Sequence, residues 1–172
     1  NAKQALPFYE LALINKNQGN LDLAEEQIKI ATTLEKNNRW YQLTYAEILF
    51  SKQNFKNAAV EYKKLILLEP GNEELYYFLA DTYIYDKDFL KAIAVYDDLE
   101  KNKGVDKMIS MQKHKLYMEL QKKKNAINEL LKLIETYPND IEVLEILSEV
   151  YLLNDEKEKA FEIFKKLAII DP

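Results

Sequence analysis

Five alanines, Ala24, Ala58, Ala92, Ala126 and Ala160, stand 34 residues apart with no insertion between any two. A fixed period of this length means stacked copies of one supersecondary unit, each unable to bury its apolar face alone. Four residues after each alanine comes a large apolar side chain: Ile28, Tyr62, Tyr96, Leu130 and Phe164. Three further on lie Ala31, Leu65, Leu99, Leu133 and Leu167. Steps of four and three fall on one face of an α-helix, so the repeating unit is helical.

The breaks keep the same clock. Pro70, Pro138 and Pro172 cannot continue a helix, and Gly104 at the matching place can turn left-handed past a helix end. Two residues later Asn38, Asn72, Asp106 and Asp140 are favoured N-caps. A second turn falls in mid-unit, where Asn20, Asn54 and Asp88 are expected to cap the second helices. Each unit then holds two antiparallel helices of about 14 residues, roughly 21 Å long at the α-helical rise. With only three glycines and four prolines in the chain, nothing opposes helix elsewhere, and no strand is expected. The predicted fold class is all-α: an α-α superhelical solenoid of five stacked helix-turn-helix repeats. The repeats are placed at 5–38, 39–72, 73–106, 107–140 and 141–172, as a single domain over 1–172.

This period and these offsets resemble the tetratricopeptide repeat, over nearly the whole chain. The family's small residue at the eighth position is matched by Ala12, Ala46, Ala80 and Ser148. Its tyrosine at the eleventh is matched by Tyr83, Tyr117 and Tyr151, and its later alanine and proline by the series above. The first repeat departs with Asn15 where tyrosine is usual. The fourth departs with Lys113 and His114 where a leucine and a small residue normally pack. Its first helix is therefore expected to rotate, or to let Lys113 snorkel its charge outward, with the least regular packing of the five.

Little here could carry catalysis. There is no cysteine, one histidine and no glycine-rich phosphate loop, and Ser51, Ser110 and Ser148 sit in no nucleophile-elbow pattern. No enzyme, metal or cofactor is expected, and His114 reads as a packed helix residue. The net charge of −5 alternates in sign from repeat to repeat, whereas an RNA groove should be continuously basic. The basic knot Lys122–Asn125 reads as a solvated turn, and no nucleic-acid partner is expected. No apolar run is long enough to span a bilayer. The chain opens on Asn1 and is read as an excerpt of a longer protein; cytoplasm and periplasm suit it equally. Phe161, Phe164, Leu167, Ile169 and Ile170 leave the last repeat without a polar cap. Further helix beyond Pro172, or self-association through this uncapped repeat, is the expectation.

The resemblance implies that the first helix of each repeat lines the concave side of the superhelix. On that stripe fall Tyr9; Trp40, Leu43, Glu47 and Phe50; Tyr77 and Asp81; Met108, Met111 and Lys115; and Glu145 and Glu149. Rigid aromatics and adaptable methionines suit a peptide-binding surface. The family's clamp for a C-terminal carboxylate needs positive charge, and Tyr9, Leu13, Thr44, Glu74 and Phe78 supply none. The expected function is a protein–protein interaction scaffold holding a peptide or helical segment in its groove, apolar at one end and Lys/Arg-rich at the other. The alternative is a structural spacer or oligomerisation segment of a larger bacterial-type multi-repeat protein, with RNA binding a third.

Overall fold

The structure, a computed structural model, describes residues 2–170, so the stop assigned to Pro172 lies outside the described residues. Ten helices and no strand occur among them. They are α1 (Ala2–Asn17), α2 (Leu21–Leu34), α3 (Arg39–Ser51), α4 (Phe55–Leu68) and α5 (Glu73–Tyr85), followed by α6 (Phe89–Lys103), α7 (Lys107–Glu119), α8 (Lys123–Thr136), α9 (Ile141–Leu153) and α10 (Lys157–Ile170). The starts of α3, α5, α7 and α9 keep the 34-residue clock, and so do those of α2, α4, α6, α8 and α10.

The chain divides into two compact units, Asn1–Val95 and Tyr96–Pro172. In the first, each of α2 to α5 packs on the helix before it, and α1 also touches α3. Its core gathers Ala5, Ala12, Ala24, Ile28, Ala31, Tyr41 and Ile48. In the second, α8 packs on α7 and α9, and α10 on α9, around Leu130, Leu133, Val143, Leu147, Val150, Tyr151 and Ala160. All five clock alanines are 0% exposed. A methyl group at that place lets two helices approach closely, and the larger residues four and seven positions on fill the space beside it. Each Ile or Leu fully buried in this way is worth about 1.5–3 kcal/mol. The stripe opens only at its last copy, where Phe161, Phe164 and Ile169 of α10 are exposed.

The turns between repeats are capped largely as expected. Asn38 Oδ1 accepts from Trp40 N, Asp106 from Ile109 N and Asp140 from Val143 N, at 3.1, 3.1 and 3.2 Å. Asn72 instead turns its amide to Glu69 (3.1 Å). Of the mid-repeat turns, Asp88 accepts from Lys91 N at 3.4 Å as expected, and the other two correct the expectation. Asn20 and Asn54 make no side-chain cap, because their backbones (ψ 62° and 61°) lie outside the extended region a cap needs.

What ends the preceding helices is the residue one place earlier. Gly19, Gln53, Lys87, Gln121 and Asp155, again 34 apart, all have φ between 56° and 79°. The next amide reaches back five residues in each case, as in Asn20 N to Asn15 O (2.8 Å) and Asn54 N to Leu49 O (2.9 Å). This is the Schellman stop, and only its first copy uses glycine.

The fourth repeat corrects a second expectation. The α7 helix keeps the common register, and Lys113 does not snorkel: it is 2% exposed. Its ammonium lies 2.6 Å from Asp97, 3.0 Å from Glu100 and 2.9 Å from Glu129. Lys132 and the Ser110 hydroxyl also hold Glu100, at 2.6 and 2.8 Å. Burial alone would push the Lys113 ammonium down, but the three carboxylates outweigh it and hold its pKa above the lysine range. Burial would likewise raise Glu100, yet Lys132, Lys113 and Ser110 together hold it below its ordinary value. A charge replaces the usual leucine because acidic partners on α6 and α8 enclose it. His114 is buried as expected, its Nδ1 3.0 Å from Ala126 O.

The backbone at the Schellman stops yields a prediction with opposite signs at two copies. An L-residue in the left-handed region costs roughly 1–2 kcal/mol, against which glycine's extra unfolded-state entropy offsets about half. A Cβ at Gly19 would meet nothing within 4 Å, so side-chain packing does not confuse the comparison. Gln53→Gly should therefore stabilise the protein by about 0.5–1 kcal/mol, and Gly19→Ala should destabilise it by about 1 kcal/mol. Urea unfolding followed by circular dichroism reads both; a neutral Gly19→Ala would contradict this account of the turn.

Candidate functional site

The first helices of the repeats in the first unit (their A helices), α1, α3 and α5, border with α4 a cleft of about 370 Å³. Lys16 of α1, Glu47, Phe50 and Ser51 of α3, Tyr62 of α4 and Phe78, Asp81 and Tyr85 of α5 line it. On α5 the lining residues are spaced three and four apart, so helical periodicity alone sets Phe78 and Tyr85 either side of Asp81.

The walls are aromatic. Phe50 meets Tyr85 edge-on with ring centroids 5.1 Å apart, and meets Phe55 at 5.5 Å. On the other side Tyr62 lies against Phe78 at 5.6 Å. Mutual contact keeps these rings in place. Charge is set among them asymmetrically: Lys16 is ion-paired with Glu47, whereas Asp81 makes no ion pair among the described residues. Desolvation against the cleft wall raises the Asp81 carboxyl above its ordinary value, with no cation opposing the rise. Tyr62 is 3% exposed and makes no hydrogen bond among the described residues. Burial first, then the charges of Glu47 and Asp81, push its hydroxyl pKa up.

Of the groove residues expected from sequence, Glu47, Phe50 and Asp81 come together in this cleft. Trp40 stands at the opposite end of α3, 56% exposed, with the Arg39 guanidinium 4.5 Å from its ring centroid. Arg39 is itself held by Glu69 at 2.9 Å. Tyr9 turns inward, its ring 4.7 Å from that of Tyr41 against the core, and Leu43 and Tyr77 are half-buried. In the second unit Met108 is exposed while Met111 packs on the core. Lys115, Glu145 and Glu149 reach solvent and make no ion pair among the described residues. Sequence reasoning assigned Tyr62 to the core stripe and left out Phe78 and Tyr85, which lie one step around the helix from the chosen positions. The spacing of Phe78 and Tyr85 about Asp81 was the signal that could have found them.

Among the described residues no group of acidic, histidine or cysteine side chains could hold a metal ion, and no helix is long and apolar enough to cross a membrane. The unpaired Asp81 gives a testable consequence. Its folded-state pKa lies above the ordinary 3.8, so the folded chain is penalised for ionising it. That penalty is present above the folded pKa and is gone once pH falls below the unfolded value. Asp81→Asn should therefore unfold at a higher urea midpoint than the parent at neutral pH, with the gap closing below a pH of about 3.8. A less stable Asn variant at neutral pH would mean that Asp81 has a stabilising cation.

Comparison with known proteins agrees with the repeat geometry. Family models described as tetratricopeptide repeat match residues 73–101 and 115–140. No curated protein matches the chain. Among solved structures, one described as the crystal structure of MamA protein superimposes with a TM-score of 0.69 at 18% identity, covering 99% of this chain and 93% of that one. MamA 41-end from Desulfovibrio magneticus RS-1 gives 0.64 at 17% identity, covering 97% and 94%. YrrB, described as a TPR protein with an unusual peptide-binding site, gives 0.60 at 17% identity, covering 98% and 87%. At these identities the likeness is one of fold, an all-α helical repeat. With residues 73–101 and 115–140 matched by family models and nine of the ten helix starts on one clock, the chain carries tetratricopeptide repeats in an all-α helical-repeat fold, a kind of unit that generally serves protein interaction.

Proposed function

We propose that this chain holds a segment of a partner protein along its A helices, with the first-unit cleft as the anchoring point. The observation that carries the reading is the cleft itself: a cavity of about 370 Å³ walled by Phe50, Tyr62, Phe78 and Tyr85 with a carboxylate left unpaired. A spacer has no use for such a feature, whereas an exposed carboxylate without a cation, set among aromatic rings, is a ready counter-charge for a partner.

Trp40 extends the surface. Ten residues separate it from Phe50 on α3, or about 15 Å at the helical rise. An extended segment of roughly five residues covers that distance. The segment gains affinity mainly by burying apolar side chains against Phe50 and Trp40, since aromatic anchors carry most binding energy at such interfaces. YrrB, with its described peptide-binding site, shows that a helical-repeat protein of this fold can take a peptide. Met108, Met111, Lys115, Glu145 and Glu149 form a stripe on the second unit that is proposed to contact partner protein in its own right.

Selection of peptides from a displayed library against the whole chain, followed by calorimetry, tests the reading. Phe50→Ala and Trp40→Ala should each weaken a selected peptide by about 2 kcal/mol or more while helicity is unchanged. If both variants bind as tightly as the parent, the A-helix surface is not the site and the spacer reading takes its place.

A further inference from the structure

The charges inside the first-unit cleft define the side chain that it accepts. Glu47 is neutralised by Lys16, which leaves Asp81 as the one uncompensated charge of the lining. Tyr62, 3% exposed, also lines the cleft, where its hydroxyl feels the charges of Glu47 and Asp81 and makes no hydrogen bond among the described residues. A donor brought into the cleft would give that oxygen a protein-side hydrogen bond in place of water. The remaining walls are aromatic, with Phe50 and Tyr85 on one side and Phe78 and Tyr62 on the other.

We propose that the cleft is a subsite for an arginine side chain of the bound segment, its guanidinium held by Asp81 and the Tyr62 hydroxyl between aromatic rings. The inference rests on the peptide-groove reading and specifies what that segment must carry.

Three features select this ligand. A single net negative charge matches one cation and repels an anion, so a carboxylate or phosphate group is excluded. Guanidinium is planar and weakly hydrated, and it stacks on ring faces where an ammonium keeps its water; aromatic walls therefore favour arginine over lysine. Its five N–H donors can serve a carboxylate and a phenol oxygen together, whereas an apolar side chain would leave Asp81 and Tyr62 both unsatisfied. The cleft lies within one compact unit on α1, α3, α4 and α5, so no change elsewhere is needed to form it.

The test uses a small probe and a peptide on the intact chain. N-acetyl-arginine amide, followed by amide chemical shifts, should perturb residues 50, 78, 81 and 85, while its neutral isostere N-acetyl-citrulline amide should not. N-acetyl-lysine amide should bind more weakly than the arginine probe. Asp81→Asn should weaken the arginine probe by about tenfold or more, and Tyr62→Phe by a smaller factor, in line with charge-assisted and neutral hydrogen bonds. Equal binding of the citrulline probe, or an arginine affinity untouched by Asp81→Asn, overturns the inference.

Library-selected peptides separate this inference from the broader reading. If they bind and are lost in Phe50→Ala but carry no arginine, the groove reading stands and the arginine subsite falls. If the arginine probe seats in the cleft but no peptide is selected, the subsite stands and the peptide reading falls.

Discussion

The close approach of helices over Ala24, Ala58, Ala92, Ala126 and Ala160 is the constraint on which the rest of this structure depends. Nothing larger than a methyl fits where two helix backbones come together, so each alanine fixes how the second helix of its repeat sits. The residues four and seven positions later, Ala31 apart, are large and pack beside that contact. Once the contact is set, the starts and stops follow the same period, down to the left-handed residue that ends each first helix.

That economy leaves the other face of the first helices free to vary. Residues facing the core are held to a narrow choice, whereas those facing the cleft answer only to each other. Phe50 and Tyr85 hold each other in place by ring contact, as do Phe78 and Tyr62, and Lys16 occupies Glu47. Asp81 and Tyr62 are the polar groups left over. Structural need does not account for them, and such residues are where function is expected in a repeat protein.

Much of the fold was legible in the sequence because a period of 34 residues survives substitution at any single copy. What was not legible depended on contacts between helices. Asn20 and Asn54 looked like caps, but the turn is made by the residue before each, and Gln53 or Lys87 gives no compositional hint of a positive φ. Lys113 looked misplaced because its three carboxylate partners lie on α6 and α8, 13 to 16 residues away in either direction. The stripe read from the sequence contains three of the cleft residues, Glu47, Phe50 and Asp81. Tyr62 was hidden because it belongs to the packing stripe by position, yet it also lines the cleft from α4.

The account stands or falls on whether the first-unit cleft is where a partner segment is held. Hydrogen–deuterium exchange on the whole chain, with and without a library-selected peptide, addresses this directly because it reports every helix at once. The account expects slowed exchange in residues 45–52 and 76–86, which take in the C-terminal half of α3 and most of α5 and carry the cleft residues. Protection confined to α10 around Phe161 and Phe164, with the cleft helices unchanged, would contradict it and place the interaction on the open apolar stripe instead.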